Sequence, residues 1–149
     1  MKKLQYADTV LAELTSVLAQ VDDAQAEQLI EKICQAQTVF LAGSGRSGLA
    51  GKAFAMRLGH LGKQAKRLQG NVALVTIAPD SNIGRIADCI LEIPAPSPKV
   101  TAERSASIQP MASLFEQSLL LTLDVLILKL IDRYGMDTDE MYRRHVNLE

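Results

Sequence analysis

The sequence contains few residues that could bind a metal ion or form disulfides. Its 149 residues include two cysteines and two histidines, and Cys34 and Cys89 stand apart without a CxxC pair. Neither His60 nor His145 lies near a cysteine or near the other histidine in the sequence. This spacing favours reduced thiols over a disulfide framework, and it gives no support to a zinc site.

Excess charge and an export signal are also absent. The formal net charge is −1, so no global basic field favours nucleic acid or an anionic membrane as a partner. Acidic residues interrupt the apolar residues of "MKKLQYADTVLAEL", which argues against a signal peptide. We therefore expect a cytoplasmic protein. Its length and its hydrophobic content of 48% fit one compact domain, residues 1–149.

Helical and strand-like segments alternate along the chain. Apolar residues at three-, four- and seven-residue spacings predict that the first twenty residues form an amphipathic helix. These residues are Leu4, Leu11, Leu14, Leu18 and Val21. A second helix is predicted at Asp23–Gln35, and apolar runs at 39–42, 72–77 and 90–93 have strand character. Because helical segments separate these runs, the pattern predicts an α/β fold with a mainly parallel sheet.

The longest predicted helix runs from about Pro110 to Tyr134, with Pro110 in its first turn and Gly135 at its end. It is apolar on nearly all sides. Charged residues such as Glu116 and Asp124 would each cost roughly 2.5 to 3.5 kcal/mol at a bilayer centre, so we reject a membrane span. A helix without a polar face is usually buried on several sides, which implies packing against another subunit. The segment "DTDEMYRRH" predicts one further short helix.

Three glycines, Gly43, Gly45 and Gly48, lie between a predicted strand and a predicted helix in "AGSGRSG". The pattern G-x-G-x-x-G occurs in dinucleotide sites, which also require an acidic residue about 20 positions further on. No Asp or Glu occurs between Gly43 and Pro79, so a dinucleotide is disfavoured. A P-loop is excluded because Leu49 stands where that motif has lysine.

A small phosphorylated ligand remains for this glycine loop. Backbone N–H groups at the start of a helix favour a phosphate, and the side chains of Ser44, Arg46 and Ser47 can add charge-assisted hydrogen bonds. The alternative is a tight turn whose glycines only allow strand and helix to pack closely.

Two further residues are candidates for acid–base chemistry. Glu116 lies among leucines and a phenylalanine, where partial desolvation would suit a general base. The alternative is an exposed carboxylate or a partner for a cation. His145 could take part in proton transfer, although a histidine near a chain end is commonly solvated. Asp80 and Ser81 follow a predicted strand, and we assign them a structural role as helix caps.

Three segments of the chain closely resemble 6-phospho-3-hexuloisomerases, members of the sugar isomerase (SIS) domain family. They are "VFLAGSGRSGLAGKAFAMRLGHLG", "VALVTIAPDSNIGRIAD" and "SIQPMASLFEQSLLLTLDVLILKLIDRYGMDTDEMYRRHVNLE". The likeness covers nearly the whole chain, and its "SIQPMASLFEQ" and "RHVNLE" parts are far more specific than the glycine loop.

The resemblance implies a three-layer, flavodoxin-like SIS fold, a parallel sheet flanked by helices, usually in a homotetramer. It implies interconversion of D-arabino-hex-3-ulose 6-phosphate and fructose 6-phosphate through an enediol, in the ribulose monophosphate pathway of formaldehyde fixation. No metal or organic cofactor is expected. The rivals are a non-catalytic SIS module that binds a sugar phosphate, and an SIS isomerase of another sugar phosphate.

The resemblance also implies roles for individual residues. Glu116 matches the catalytic carboxylate, and His145, from its own or a neighbouring subunit, matches a histidine expected to assist. The implied substrate-binding and phosphate-binding loop contains Gly43, Ser44, Gly45, Arg46 and Ser47.

The chain departs from the family pattern at one junction. Family members follow the equivalent of "GHLG" with a strand-loop-strand unit that carries a second phosphate loop, whereas here Gly62 runs directly into Lys63. About 35 residues, close to one βαβ unit, are missing. Either this segment is truly deleted from the protein, or it exists in the molecule and the sequence omits it. Removing an inner strand should cost more than a typical stability margin of about 5 to 15 kcal/mol, which favours omission.

Overall fold

The computed structural model describes residues 4–62, 72–96, 107–136 and 138–145. The described residues contain five α-helices, two strands and one short 3₁₀ turn, Gly84–Ile86. The helices are α1 (Ala7–Leu18), α2 (Asp23–Gln35), α3 (Gly45–His60), α4 (Ser113–Tyr134) and α5 (Thr138–His145), and the strands are β1 (Ala73–Thr76) and β2 (Cys89–Glu92).

The two strands form a parallel pair, as the alternation of segments predicts. Ala73 lies opposite Cys89, and Thr76 lies opposite Glu92. Helix α2 packs against β2, where the Gln25 Oε1 atom accepts a hydrogen bond of 2.8 Å from the backbone N–H of Glu92. This arrangement confirms the predicted α/β class with a parallel sheet and flanking helices.

The apolar run at 39–42 is irregular, so the prediction of a strand there was wrong. A strand is defined by a ladder of hydrogen bonds to a neighbour, and in the described part of the chain β1 and β2 pair with each other alone. Val39 packs against the main core, but Phe40 and Leu41 are exposed. An apolar run therefore does not become a strand without an adjacent strand to join.

Helix α4 lies at the centre of the core and contacts α1, α2 and α3. Its Leu126, Ile127 and Leu130 side chains are almost completely buried. Phe54 of α3 and Ile30 of α2 belong to the same cluster. Helices α1, α2 and α3 therefore pack around α4.

The start of α1 and its buried face differ from the predicted ones. Tyr6 adopts a left-handed conformation, φ 66°, and the helix begins only at Ala7. Leu4 therefore precedes the helix and is exposed, as is Leu11. Leu14 is buried as expected, but the other buried residue of this helix is Val17. The face toward the core is rotated relative to the leucine pattern.

The ends of the other helices agree more closely with the sequence. The bounds of α2 are as predicted, and α4 ends before Gly135, which has a φ of 59°. Helix α3 ends at His60, and Gly62 has a φ of 78°, a left-handed conformation that is common just after a helix. Lys63, and with it the junction of the absent unit, lies outside the described residues.

The structure also bears on the state of the cysteines and on the rejected membrane span. Cys34 and Cys89 remain thiols, and burial raises the pKa of the Cys89 thiol despite the opposing charge of Lys32. In the described part of the chain, none of the helices combines the length and hydropathy that a membrane span requires.

Candidate active site

The glycine loop is held together by a close approach of two backbone segments. A Cβ atom on Gly48 would lie 2.6 Å from the carbonyl oxygen of Gly43, and one on Gly43 would lie 2.9 Å from the Cα of Gly48. Gly45 has a φ of +57°, which L-residues rarely adopt. The loop therefore requires these glycines for its backbone shape, whatever ligand it binds.

The loop leads directly into the N-terminal turn of α3. Ser44 occupies the N-cap position in an extended conformation, and its side chain does not cap the helix. The Ser47 hydroxyl donates a hydrogen bond of 2.8 Å back to the Ser44 carbonyl. Because an uncapped helix N-terminus presents unsatisfied N–H groups and positive potential, it favours an anion.

Arg46 links this loop to the start of α4. Its Nε atom lies 2.8 Å from the Oε2 atom of Glu116. Its Nη2 atom donates a 2.8 Å hydrogen bond to the carbonyl of Met111, and its Nη1 atom donates a 3.3 Å hydrogen bond to the Oγ atom of Ser113. The Arg46 side chain is 52% exposed, whereas that of Glu116 is 21% exposed. Two candidates from distant parts of the sequence are thus in direct contact.

The turn before α4 has an unusual backbone. Met111 and Ala112 both have positive φ values, 52° and 61°, each of which costs roughly 1 to 2 kcal/mol for an L-residue. The helix consequently begins at Ser113 and not at Pro110, which corrects the predicted boundary. Ser113 donates hydrogen bonds from its N–H and its hydroxyl to the Pro110 carbonyl, at 3.0 and 2.7 Å. This turn places Glu116 in the first turn of α4, where the helix dipole stabilises a carboxylate.

A hydrogen-bond network behind this turn anchors it to α1. The Oε2 atom of Glu13 accepts from the Ser107 hydroxyl at 2.7 Å and from the Gln109 amide at 2.9 Å, and Oε1 accepts from the Ile108 N–H at 2.9 Å. The Gln117 amide donates to Gln109 Oε1 at 2.5 Å. Burial acts to raise the pKa of the Glu13 carboxyl, but the three hydrogen bonds outweigh it, and the pKa is lowered.

Sequence reasoning missed Glu13, Met111 and Ser113 as parts of this site. Met111 contributes through its carbonyl group, which leaves no side-chain signal. Ser113 lies in the distinctive segment "SIQPMASLFEQ", which is the signal that could have identified it. Glu13 stands beside the apolar residues of α1, and nothing in its local pattern indicates its partners.

His145 is the second residue with a predicted catalytic role. His145 is the last residue of α5, a helix that packs against α3, and its side chain lies outside the described part of the chain. Across the residues that the structure describes, no group of three or more His, Cys, Asp or Glu side chains is placed to hold a metal ion.

Comparison with solved structures shows the class of fold. A protein of Methanococcus jannaschii, whose crystal structure "infers a molecular function of 3-hexulose-6-phosphate isomerase", superposes with a TM-score of 0.72 and 23% sequence identity. The match covers 95% of this chain and 98% of that chain. The architecture is that of the SIS-type sugar-phosphate isomerases, as predicted.

Comparison of sequences shows the family. The 3-hexulose-6-phosphate isomerase of Bacillus subtilis is 38% identical over 186 positions, which cover 100% of both chains. That of Mycobacterium gastri is 30% identical over 173 positions, covering 92% of this chain and 86% of the relative. No protein-family model matches the chain. The chain belongs to the 3-hexulose-6-phosphate isomerase family. These enzymes are also called 6-phospho-3-hexuloisomerases. The prediction that it is a sugar-phosphate isomerase is thereby confirmed.

The alignment with the Bacillus subtilis enzyme also bears on chain length. It runs over 186 positions, whereas this chain has 149 residues. At least 37 aligned positions therefore face no residue of this chain. This difference is similar in size to the strand-loop-strand unit of about 35 residues that the resemblance leads us to expect.

Proposed function

We propose that this protein interconverts D-arabino-hex-3-ulose 6-phosphate and fructose 6-phosphate through an enediol. The observation that carries the proposal is the position of Glu116, which lies beside the glycine loop and contacts Arg46 of that loop. The names of the relatives support the choice of substrate. We further propose that the reaction serves formaldehyde fixation in the ribulose monophosphate pathway, in the cytoplasm.

In the proposed reaction, Glu116 is the general base. The substrate carries its carbonyl at C3 and a hydrogen at C2. The carboxylate removes the C2 proton, the C2–C3 bond gains double-bond character, and the C3 oxygen takes up a proton to give the enediol. Loss of the proton on the C2 oxygen and protonation of C3 then yield fructose 6-phosphate. A positioned base and a polarising donor are sufficient for this chemistry, and we propose His145 as the assisting group.

The substrate would lie against the glycine loop, residues Gly43, Ser44, Gly45, Arg46 and Ser47. The uncapped N-terminus of α3 supports this proposal, because its first N–H groups and the positive end of the helix dipole favour an anion. The backbone of the loop adds to this support, because Gly43 and Gly48 approach each other too closely for a larger residue at either position.

Turnover by the purified protein tests the proposal. We expect the wild type to convert hex-3-ulose 6-phosphate to fructose 6-phosphate and Glu116→Gln to lose about 10²- to 10⁴-fold in kcat, the usual contribution of a general base. Asp124→Asn is the matched control, because Asp124 is another α4 carboxylate that pairs with an arginine of α3, Arg57. Full activity of Glu116→Gln would refute its role. Absence of turnover together with binding of fructose 6-phosphate would favour a non-catalytic module.

We also propose that the absent unit belongs at the junction of Gly62 and Lys63. The intact mass of the purified protein decides between deletion and omission, because a continuous chain of 149 residues has a mass of 16.2 kDa. A heavier protein would show that the molecule carries the unit. If the mass is 16.2 kDa, one phosphate loop is missing, and inserting the unit from the Bacillus subtilis relative should lower the KM for the sugar phosphate.

We propose a homo-oligomer, with a tetramer as the expected form. The supporting observation is a stripe of exposed apolar side chains on α4, formed by Leu121, Val125 and Leu128. They lie at positions i, i+4 and i+7, so they share one face of the helix. Apolar stripes of this kind are typical of helix–helix contacts between subunits.

A further inference from the structure

We propose that Arg46 is a positioning residue that orients the carboxylate of Glu116, and that it is not the ligand of the substrate phosphate. This inference rests on the function proposed above and assigns a more specific role to one residue of the glycine loop. Its basis is the direction of the guanidinium group, which faces the start of α4.

Each nitrogen of the Arg46 guanidinium contacts a different acceptor at the start of α4. Nε lies 2.8 Å from Glu116, Nη2 donates at 2.8 Å to the Met111 carbonyl, and Nη1 donates at 3.3 Å to the Ser113 hydroxyl. A guanidinium binds phosphate with the same planar set of donors. Three of its five N–H groups are already directed at these acceptors, so a phosphate bound by the same fork would compete with them.

The acceptors themselves are held in place. The Ser113 hydroxyl donates to the Pro110 carbonyl at 2.7 Å, which turns its lone pairs toward Arg46. The Met111 carbonyl belongs to the left-handed turn before α4. This backbone conformation is costly for an L-residue, and such strain persists only where surrounding contacts support it. The arginine contact is one such support.

The location of Arg46 in α3 strengthens the same inference. It lies in the first turn of the helix, where the dipole disfavours a cation. The nearby Glu116 carboxylate offsets this effect. The N-terminus of α3 can then bind a phosphate through its backbone N–H groups while Arg46 serves the catalytic carboxylate.

Steady-state kinetics of Arg46→Gln and Arg46→Lys test the assignment. For a positioning residue, both variants should lose about 10- to 100-fold in kcat, since a misplaced catalytic group is costly. Their KM and their inhibition constant for inorganic phosphate should stay within about twofold of the wild type. Lysine should not rescue the activity, because its compact ammonium cannot reach the three separate acceptors that the planar guanidinium spans. Arg57→Gln is the control, because it removes another ion pair between α3 and α4.

A double-mutant cycle completes the test. If Arg46 acts through Glu116, then Arg46→Gln should reduce kcat less than about twofold further in the Glu116→Gln background. A tenfold rise in KM and in the phosphate inhibition constant, with kcat retained and with rescue by lysine, would overturn the inference.

The two proposals can fail separately. If the wild type shows no turnover, the proposed function fails, and phosphate titration by calorimetry then tests Arg46 alone. Unchanged phosphate affinity in Arg46→Gln, together with non-additive effects of Arg46→Gln and Glu116→Gln on thermal unfolding, would support the positioning role. Loss of phosphate binding in Arg46→Gln would refute it.

Discussion

Arg46 and Glu116 form an ion pair between the first turns of two helices, with 2.8 Å between Nε and Oε2. The pair joins the glycine loop, the proposed anion site, to the carboxylate of Glu116, the proposed base. Both helices begin at this place, so their positive dipole ends converge there. The proposed anionic substrate and the proposed base would therefore share one electropositive region.

The contact between Gly43 and Gly48 predicts that Gly48→Ala disrupts the loop. The added Cβ would lie 2.6 Å from a backbone oxygen, and the backbone cannot move aside as a flexible side chain could. We expect a loss of about 1 to 3 kcal/mol in the free energy of unfolding, typical of overpacking, measured by urea denaturation.

Gly51→Ala is the matched control for this change. Gly51 lies in the same helix, and a Cβ added there meets nothing within 4 Å. Alanine is a better helix former than glycine, so this variant should gain roughly 0.5 to 1 kcal/mol. Equal effects of the two substitutions would show that the close approach of the loop is not maintained in solution.

Local sequence signals predicted several elements well. The bounds of α2 follow from its periodicity and from Asp22, whose side chain accepts a hydrogen bond from Ala24 N–H and caps the helix. Gly135 marks the end of α4 because its left-handed φ suits glycine. The shape of the glycine loop is likewise determined by residues within six positions of one another. Each of these features depends on neighbours in the sequence.

Features that depend on tertiary contacts could not be predicted in the same way. The Arg46–Glu116 pair arises from the packing of α3 on α4, which no local pattern encodes. The strand expected at 39–42 is absent because strands need partners. The buried face of α1 was misjudged because Leu14 and Val17 pack in a cluster with Leu114, whereas Leu11 is exposed. Met111 and Ala112 adopt left-handed conformations that their residue types disfavour, so sequence propensity pointed to a helix starting at Pro110.

The network around Glu13 predicts a pH-dependent contribution to stability. The folded pKa of this carboxyl lies below its ordinary value of 4.5, so its contribution is present above pH 4.5 and is lost as the pH falls through the folded pKa. Glu13→Gln should cost about 1 kcal/mol at pH 7, and the difference from the wild type should shrink as the pH falls below 4.5. Urea unfolding at a series of pH values measures both effects.

Glu31→Gln serves as the control for the Glu13 variant, because Glu31 is an exposed carboxylate on α2. We expect its effect to stay within about 0.5 kcal/mol at pH 7. The free energies of unfolding of the wild type and of Glu13→Gln are then compared from pH 7 to pH 3. A constant difference between them would contradict the linkage of the Glu13 carboxylate to folding.

The left-handed conformation of Ala112 predicts opposite effects for two substitutions. Glycine adopts a φ of 61° without the steric cost that alanine bears there. Glycine also makes the unfolded chain more flexible, which offsets part of this benefit. Ala112→Gly should therefore raise the free energy of unfolding by about 0.5 to 1 kcal/mol. Ala112→Val should lose at least about 1 kcal/mol, because β-branched residues are least tolerated there. Thermal unfolding would contradict this picture if valine were neutral and glycine destabilising.

The exposed stripe of α4 predicts that one lysine can disrupt the proposed oligomer. Val125 lies between Leu121 and Leu128 on this face and is 45% exposed in the single chain. Val125→Lys should therefore leave the fold of the subunit intact, whereas an interface there would bury an unpaired charge at high cost. Light scattering should give the wild type a mass of four times the intact mass of its subunit and the variant a smaller one. Ile86→Lys, at an exposed apolar residue of the 3₁₀ turn, should leave the mass unchanged. A monomeric wild type, or a Val125→Lys variant with the wild-type mass, would show that this stripe does not form the subunit interface.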